Sequence, residues 1–578
     1  MENKTIKLLP QGISDFRQIR WENKYYVDKT MFLPMLENTS NFLFLVRPRR
    51  FGKSLFLTMM RDYYDINNKE NFQKEFEGLH IAAEPTELQG TFQVLFFDFS
   101  QVESEGDLQR NFTDYCNSKL KDFLDYYADF YPKDFSEEVF GFETLNVRIG
   151  HITNYAHKHG HTVYLIVDEY DNFTNTLLSG GQTGKDTFGK ITHEKGFYRQ
   201  TFKAFKPNFD RIIMCGVLPV TLSDLTSGYN IATNISLDSD YNTMLGFSEE
   251  DVRNIIGYYQ KNGLIKRSEE EIFAEMRPWY DSYCFSYDSL ETDPGMYNSN
   301  NVLSYLGYLI RKGKSPDSLI DRNSSTDFQK LKTLAEIDSQ HRVGENKGVI
   351  ERIIEKGYIL DTLYDEFDAS KTNDIIYLPS LMYYNGLLTL GKLPNGMEAM
   401  TIPNLNARKL FYDYIASVLE EFAPGTAEKF KPLAYNAAMK GEWRPMFEFA
   451  AEEYRSKSNV RLLRHGEGSP QLFLLSLLNM SPYYFTIPEE EINGMYCDLF
   501  MTPNKHSFSN LRHSYIIELK NIKTNATQAE LDAKWQEACE QVKRYAETDD
   551  SKKLAQGTLL HPIVMIFKGL QCVKCEQV

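Results

Sequence analysis

The stretch Leu43–Phe44–Leu45–Val46–Arg47–Pro48–Arg49–Arg50–Phe51–Gly52–Lys53–Ser54–Leu55 constrains this chain more than any other. Its first four residues are apolar and predict a buried strand. A tight loop follows, then Gly52–Lys53–Ser54, then a helix patterned by Leu55, Leu57, Met59 and Met60. Strand, loop and helix with Lys and Ser at the turn is the layout of a phosphate-binding loop. The helix N-terminus offers free N–H groups and the positive end of its dipole to a phosphate. Lys53 is placed to reach the outer phosphates of ATP, and Ser54 a Mg2+ ion. The general pattern opens with glycine. Here Arg47 stands in that place, followed by Pro48, which has no N–H to aim at phosphate. The expectation is that Arg47, Arg49 and Arg50 surround the phosphates and replace part of the main-chain cradle with bidentate guanidinium contacts.

A second buried strand is predicted over 92–99. A third runs His161–Thr162–Val163–Tyr164–Leu165–Ile166–Val167 and ends in Asp168–Glu169–Tyr170–Asp171. An apolar strand with Asp–Glu at its carboxyl end is what a Walker B element requires. Asp168 would hold magnesium and Glu169 polarise the attacking water. The alternative is a strand that stops at a solvated acidic turn. Leu178–Ser179–Gly180–Gly181–Gln182 and Gly184–Lys185 lack a strand-and-helix context and read as a glycine-rich loop. Residues 211–217 predict a fourth strand, with Cys215 and Thr221 as weak candidates for sensing the γ-phosphate. Arg199 and Arg211 are candidate arginine fingers, and such a finger would require a homo-oligomer. Four buried strands separated by helices predict a parallel α/β sheet with the nucleotide at its carboxyl edge.

From Gly246 the character changes. Ser248 and Asp251 form a capping signature, and helical periodicity dominates to about 385. A hairpin around Asn395–Gly396 then suggests a winged-helix-like module that packs or binds DNA. The domains are therefore drawn at 1–245, 246–404 and 405–578. In the last, 494–501 predicts a strand with Asp498, and 514–520 a strand with Glu518 and Lys520. The i, i+2 spacing puts Glu518 and Lys520 on one face, with Asp498 on the adjoining strand. Two carboxylates and an ammonium are the minimum kit for metal-assisted phosphodiester hydrolysis with Mg2+ or Mn2+. E-x-K is equally what the solvated face of an edge strand shows. Glu467, before the apolar helix 471–478, and Gln541, on a helix over 533–545, are accessory candidates.

Composition narrows the partners. With 578 residues, 42% hydrophobic, large cores are within reach. The formal net charge of −16 gives nonspecific nucleic-acid binding no global electrostatic support, so any nucleic-acid site must be local. Seven scattered cysteines, Cys572-x-x-Cys575 included, do not suggest a disulfide framework. No apolar run approaches a membrane span, and no signal peptide opens the chain, which suggests a cytoplasmic location.

Together these motifs resemble the bacterial proteins that fuse an AAA-ATPase-like domain to a C-terminal nuclease domain of the PD-(D/E)XK superfamily. The resemblance rests on Leu9–Pro10–Gln11–Gly12–Ile13 with Asp15–Phe16, Tyr26–Val27–Asp28–Lys29–Thr30, the loop 47–54, Asp168–Glu169–Tyr170–Asp171 and Gly246–Phe247–Ser248–Glu249–Glu250. It implies a fold of three parts: a P-loop parallel sheet, a helical or winged-helix-like middle, and an α/β nuclease-like end. It implies ATP bound along Arg47–Leu55, with metal held by Ser54 and Asp168. It also implies Asp498, Glu518 and Lys520 as a nuclease core acting on DNA or RNA, with metal on the two carboxylates and Glu467 and Gln541 beside them. A role in defence against mobile DNA would fit such a pair of domains. The alternative is a nucleotide-dependent switch or scaffold whose C-terminal fold binds a partner without cutting.

Overall fold

The computed structural model describes residues 6–103, 105–172, 196–219, 232–292, 295–320, 324–340, 348–366, 374–422, 424–457, 470–492 and 495–578. The glycine-rich stretch 176–190, Thr221 and Glu467 lie outside them. The chain divides into two compact units, one of residues 1–316 with 361–398, the other of 317–360 with 399–578.

The first unit is built on five parallel strands, β1 (Phe42–Val46), β2 (Phe92–Asp98), β3 (Thr162–Asp168), β4 (Arg211–Gly216) and β5 (Thr233–Asn234), in the order β2-β3-β4-β1-β5. Leu43–Val46, Val163–Val167 and Ile212–Cys215 are all buried, as expected of parallel strands covered on both faces. The helix Lys53–Tyr64 leaves the end of β1 and buries Phe56, Leu57, Met59 and Met60. The register pairs Asp98 with Asp168, so both acidic residues reach the carboxyl edge of the sheet. The helix Glu249–Lys261 opens with the expected capping box of Ser248 and Asp251. It buries Val252, Ile255 and Ile256 and stacks Tyr258 and Tyr259 against Tyr25.

The second unit joins helices to a mixed sheet. The short strand β6 (Tyr358–Ile359) is in this unit. In the Asn395–Gly396 hairpin, β7 (Thr389–Lys392) falls in the first unit, and β8 (Glu398–Thr401) starts at its last residue and continues into the second. The strands β9 (Tyr484–Ile492), β10 (Met495–Pro503), β11 (His513–Ile522), β12 (Leu559–Lys568) and β13 (Gln571–Gln577) lie in the order β13-β12-β11-β10-β9. Only the β11–β12 pairing is parallel, and the helix Gln528–Ala546 makes that crossover. The expected middle domain, 246–404, is divided between the units. Its helices Ser324–Gln340 and Val349–Lys356 pack on Leu405–Phe422, whereas Glu249–Lys261 belongs with the first sheet.

Candidate functional site

At the carboxyl edge of the first sheet, the loop after β1 closes on itself. Lys53 Nζ donates to the carbonyl oxygens of Arg47 (3.0 Å) and Pro48 (3.1 Å). The left-handed backbone that the turn needs falls at Arg50 (φ 70°) and Gly52 (φ 92°), not at position 47. Ser299 Oγ donates to the Arg50 carbonyl at 3.0 Å, and the Phe51 ring packs edge-on against Tyr283 and Phe285.

Arg47 does not do what its place in the motif suggested. Its side chain is buried, its Nη1 donates to the carbonyls of Val46 and Ser236, and its Nη2 donates to Tyr241 O at 3.0 Å. The guanidinium lies 4.3 Å from the Phe285 ring centroid. Of the three arginines expected around the phosphates, Arg47 therefore drops out. Arg49 and Arg50, with Phe51–Phe56, line a cavity of about 440 Å³, and Arg47 and Pro48 are absent from its wall. The same cavity is walled by Pro10, Ile13, Tyr25, Val27, Leu245 and Leu303. Sequence reasoning gave these residues no role at the site, although several lie in the two N-terminal motifs it singled out.

Glu169 also faces this cavity. Its backbone is left-handed (φ 52°), a conformation that costs a non-glycine residue energy and that clusters at functional turns. Asp168 is buried, and burial pushes its carboxyl up to about 6; a Ser54 hydrogen bond and the Lys53 ammonium oppose the rise, while Glu169 and Asp98 add to it. The turn is locked to the end of β4. Tyr170 N–H donates to Cys215 O, and Asp171 accepts from the N–H groups of Val217 and Leu218. A Cβ on Gly216 would lie 2.4 Å from Asp171 Oδ1 and from Tyr170 Cε1, so only glycine fits. Cys215 is a buried thiol whose pKa burial drives far upward. Arg211 sits at the opposite end of β4, bonded to Glu37 O, and Arg199 is buried. A buried carboxylate hydrogen-bonded to a hydroxyl, with an ammonium beside it, suits a Mg2+–nucleotide.

In the second unit, β10 and β11 pair Leu499 with Ile517, which brings Asp498 and Glu518 to neighbouring positions. Asp498 Oδ2 accepts the Leu519 N–H at 2.5 Å, and Gln471 Nε2 donates to Asp498 O at 3.1 Å. Lys520 Nζ donates to Glu518 Oε1 at 2.7 Å. The Glu518 side chain is 4% exposed, which rules out the solvated-face reading of E-x-K. The helix Gln528–Ala546 closes the site with Tyr545, which sequence reasoning missed. Its phenol is pushed up by burial first and then by the Glu518 and Asp498 carboxylates. Gln541, one turn earlier on the same helical face, has a buried Oε1 without a hydrogen-bond partner. Among the described residues, no group of three or more His, Cys, Asp or Glu side chains is placed to hold a metal. Two carboxylates remain as oxygen donors, a set that suits a hard cation keeping water and phosphate in its other positions.

Two family models match the chain, one within each unit. Residues 10–226 match the family described as predicted AAA-ATPase, and residues 465–577 match the PD-(D/E)XK nuclease superfamily. The chain fuses an AAA-ATPase-like domain to a C-terminal nuclease-superfamily domain. It is 28% identical over 306 residues to an uncharacterized protein from the vnfD 5′ region of Azotobacter chroococcum mcd 1, a stretch covering 51% of each chain. The chain thus spans about half the length of this curated relative. A Walker-type ATPase of Pyrococcus abyssi superposes with a TM-score of 0.37 at 11% identity, over 71% of this chain and 99% of that one. The AAA-ATPase-like match contains Arg47–Leu55, Asp168 and Glu169; the nuclease-superfamily match contains Asp498, Glu518, Lys520 and Gln541. Among the described residues, no helix is long and apolar enough to cross a membrane.

Proposed function

We propose that the chain binds and hydrolyses ATP in its first unit and cleaves phosphodiester bonds of DNA or RNA in its second. The observation that carries the second half is the buried Glu518 carboxylate, bonded to Lys520 and neighboured by Asp498 across the β10–β11 pair. A carboxylate taken out of water, even when paired with an ammonium, costs free energy that an exposed pair would avoid. A cation-dependent reaction on this face accounts for keeping it.

In the nucleotide site, Lys53 leaves the loop carbonyls for the outer phosphates, and Arg49 and Arg50 add charge from the cavity wall. Ser54 and Asp168 would hold Mg2+, which neutralises charge developing on the phosphates. Glu169 would orient and polarise the attacking water. In the nuclease-like site, Asp498 and Glu518 would hold Mg2+ or Mn2+, which activates water at neutral pH. Lys520 stabilises the negative charge that builds on the phosphorane.

Incubating full-length protein with Mg2+, ATP and mixed DNA and RNA substrates tests it. Cleavage and ATP hydrolysis are expected in the wild type, with cleavage lost in Lys520→Ala and hydrolysis lost in Lys53→Ala. Undiminished cleavage by Lys520→Ala would sink the nuclease assignment. The second reading, a nucleotide-dependent switch that binds a partner without cutting, is favoured by the short list of carboxylates and the net charge of −16. Calorimetric titration of Mn2+ into wild type and Asp498→Ala discriminates, since the switch predicts no binding that depends on Asp498.

A further inference from the structure

The generic phosphate loop opens with glycine, and this one opens with a buried arginine. Glycine is required where the backbone turns left-handed or another chain approaches closely. Neither holds at position 47, whose N–H continues the strand pairing with Gly216 O at 3.2 Å. The arginine is therefore tolerated sterically, but tolerance does not explain a guanidinium in an apolar interior. Burying such a charge without a carboxylate beside it is unfavourable. The ionisable groups that bear on Arg47 are the thiols of Cys215 and Cys284 and the phenols of Tyr383 and Tyr384. Its described hydrogen bonds all go to main-chain oxygens, and its Nε is buried without a partner.

What those oxygens have in common is their distance in sequence from the loop and their closeness to it in space. Ser236 and Tyr241 lie just past β5, and Ser236 Oγ also accepts the Val46 N–H at 2.9 Å. Phe285, under the guanidinium, also packs on Phe51. Asn242 Oδ1 accepts the Phe285 N–H at 2.8 Å, which joins the two segments behind the loop. Arg47 thus ties the start of the phosphate loop to both segments, and its own carbonyl is one of the two that hold Lys53.

We infer that Arg47 is a positioning residue for the nucleotide site. From behind the loop, its guanidinium clamps the loop's entry to the carbonyls of Ser236 and Tyr241 and holds Lys53 in register for the phosphates. This rests on the reading of the first unit as an ATP site. The entry of the loop is pre-shaped by a side chain, while its left-handed turn stays at Arg50 and Gly52, and the clamped charge adds positive potential behind the loop. The clamp acts through the phosphate loop alone, since Arg47 contributes nothing to the wall of the cavity.

The test uses the full chain with Arg47→Met, which keeps the packing on Phe285 and removes the charge and both anchors, and Arg47→Lys, which keeps the charge alone. Affinities for ATP with Mg2+ and for adenosine are measured by displacement of a fluorescent ATP derivative. Unfolding midpoints are recorded without nucleotide. Arg47→Met is expected to weaken ATP at least tenfold and adenosine less than twofold, with Arg47→Lys in between for ATP. ATP affinity within twofold of wild type in a cooperatively unfolding Arg47→Met overturns the inference, as does equal weakening of ATP and adenosine. If Arg47→Met does not fold, Arg47→Lys decides, and unchanged ATP affinity there overturns it. Wild type that binds no nucleotide at all overturns the ATP-site reading itself.

Discussion

The two acidic clusters of this chain hold a buried carboxylate in opposite ways. In the first unit, Asp168 is buried beside a hydroxyl and near an ammonium, and its carboxyl is raised to about 6. The cavity that the neighbouring Glu169 faces is lined from segments scattered over much of the unit, including the loop after β1, the end of β3, and Gly246 and Ser299 beyond the sheet. In the second unit, Glu518 is paired directly with Lys520, and the site is assembled on two adjacent antiparallel strands. The first arrangement leaves its carboxylate under-compensated. The second is compensated from within. A site that must respond to nucleotide benefits from the former; a site that must be ready whenever substrate arrives benefits from the latter.

The largest expected effect is in the second site. Lys520→Ala or Glu518→Gln should lower cleavage by about a thousandfold, the scale of losing one transition-state charge contact, with ATP hydrolysis within twofold of wild type. If hydrolysis fell equally, the two sites would not be chemically separate. Lys53→Ala should lower ATP hydrolysis at least a hundredfold in a phosphate-release assay. Measured on the same samples, cleavage then reports whether the second site depends on the first.

Next in size is Asp168→Asn. Raising a carboxyl from 3.8 to about 6 corresponds to about 3 kcal/mol against the ionised form at neutral pH. The raised value means that this group favours folding fully below 3.8 and progressively less as pH rises through about 6. Asp168→Asn should therefore raise the unfolding midpoint at pH 7.5 by several degrees while abolishing hydrolysis, and the gain should shrink at pH 5. In wild type, Mg2+–ATP affinity should fall as pH drops below 6, because the cation must displace a proton from Asp168. The smallest effect expected is a few-fold loss of ATP affinity in Arg49→Ala or Arg50→Ala. No change in either would remove side-chain charge from the account of the loop.

What could be read from residues alone was local. The strand before Arg47, the Asp168–Glu169 pair and the Glu518–Lys520 spacing each lie within a few residues, and periodicity carries them. Arg47 was misread because its partners, Ser236, Tyr241 and Phe285, are far along the chain and bind through main-chain oxygens or a ring, which no motif records. The strand β9 escaped notice because Glu489–Glu490–Glu491 breaks the apolar alternation. Tyr545 escaped because a tyrosine on a helix is ordinarily core, and only the β11–β12 crossover brings it to the carboxylates. The middle domain was drawn from a change in periodicity, but helices are assigned by what their apolar faces bury.

That last point changes how the chain can be cut. The backbone passes between the two units three times, at 316–317, 360–361 and 398–399, the last inside a hairpin. Each unit is built from two separate stretches of the chain. A stop codon at 405 would strip the helices Ser324–Gln340 and Val349–Lys356 of the helix they pack on and leave their apolar faces in water. One proteolytic nick at any single crossing would leave both halves tied by the other two. An expressible nuclease-like fragment therefore needs residues 317–360 grafted back, and a fusion assembled by simple end-to-end joining is not the architecture this sequence encodes.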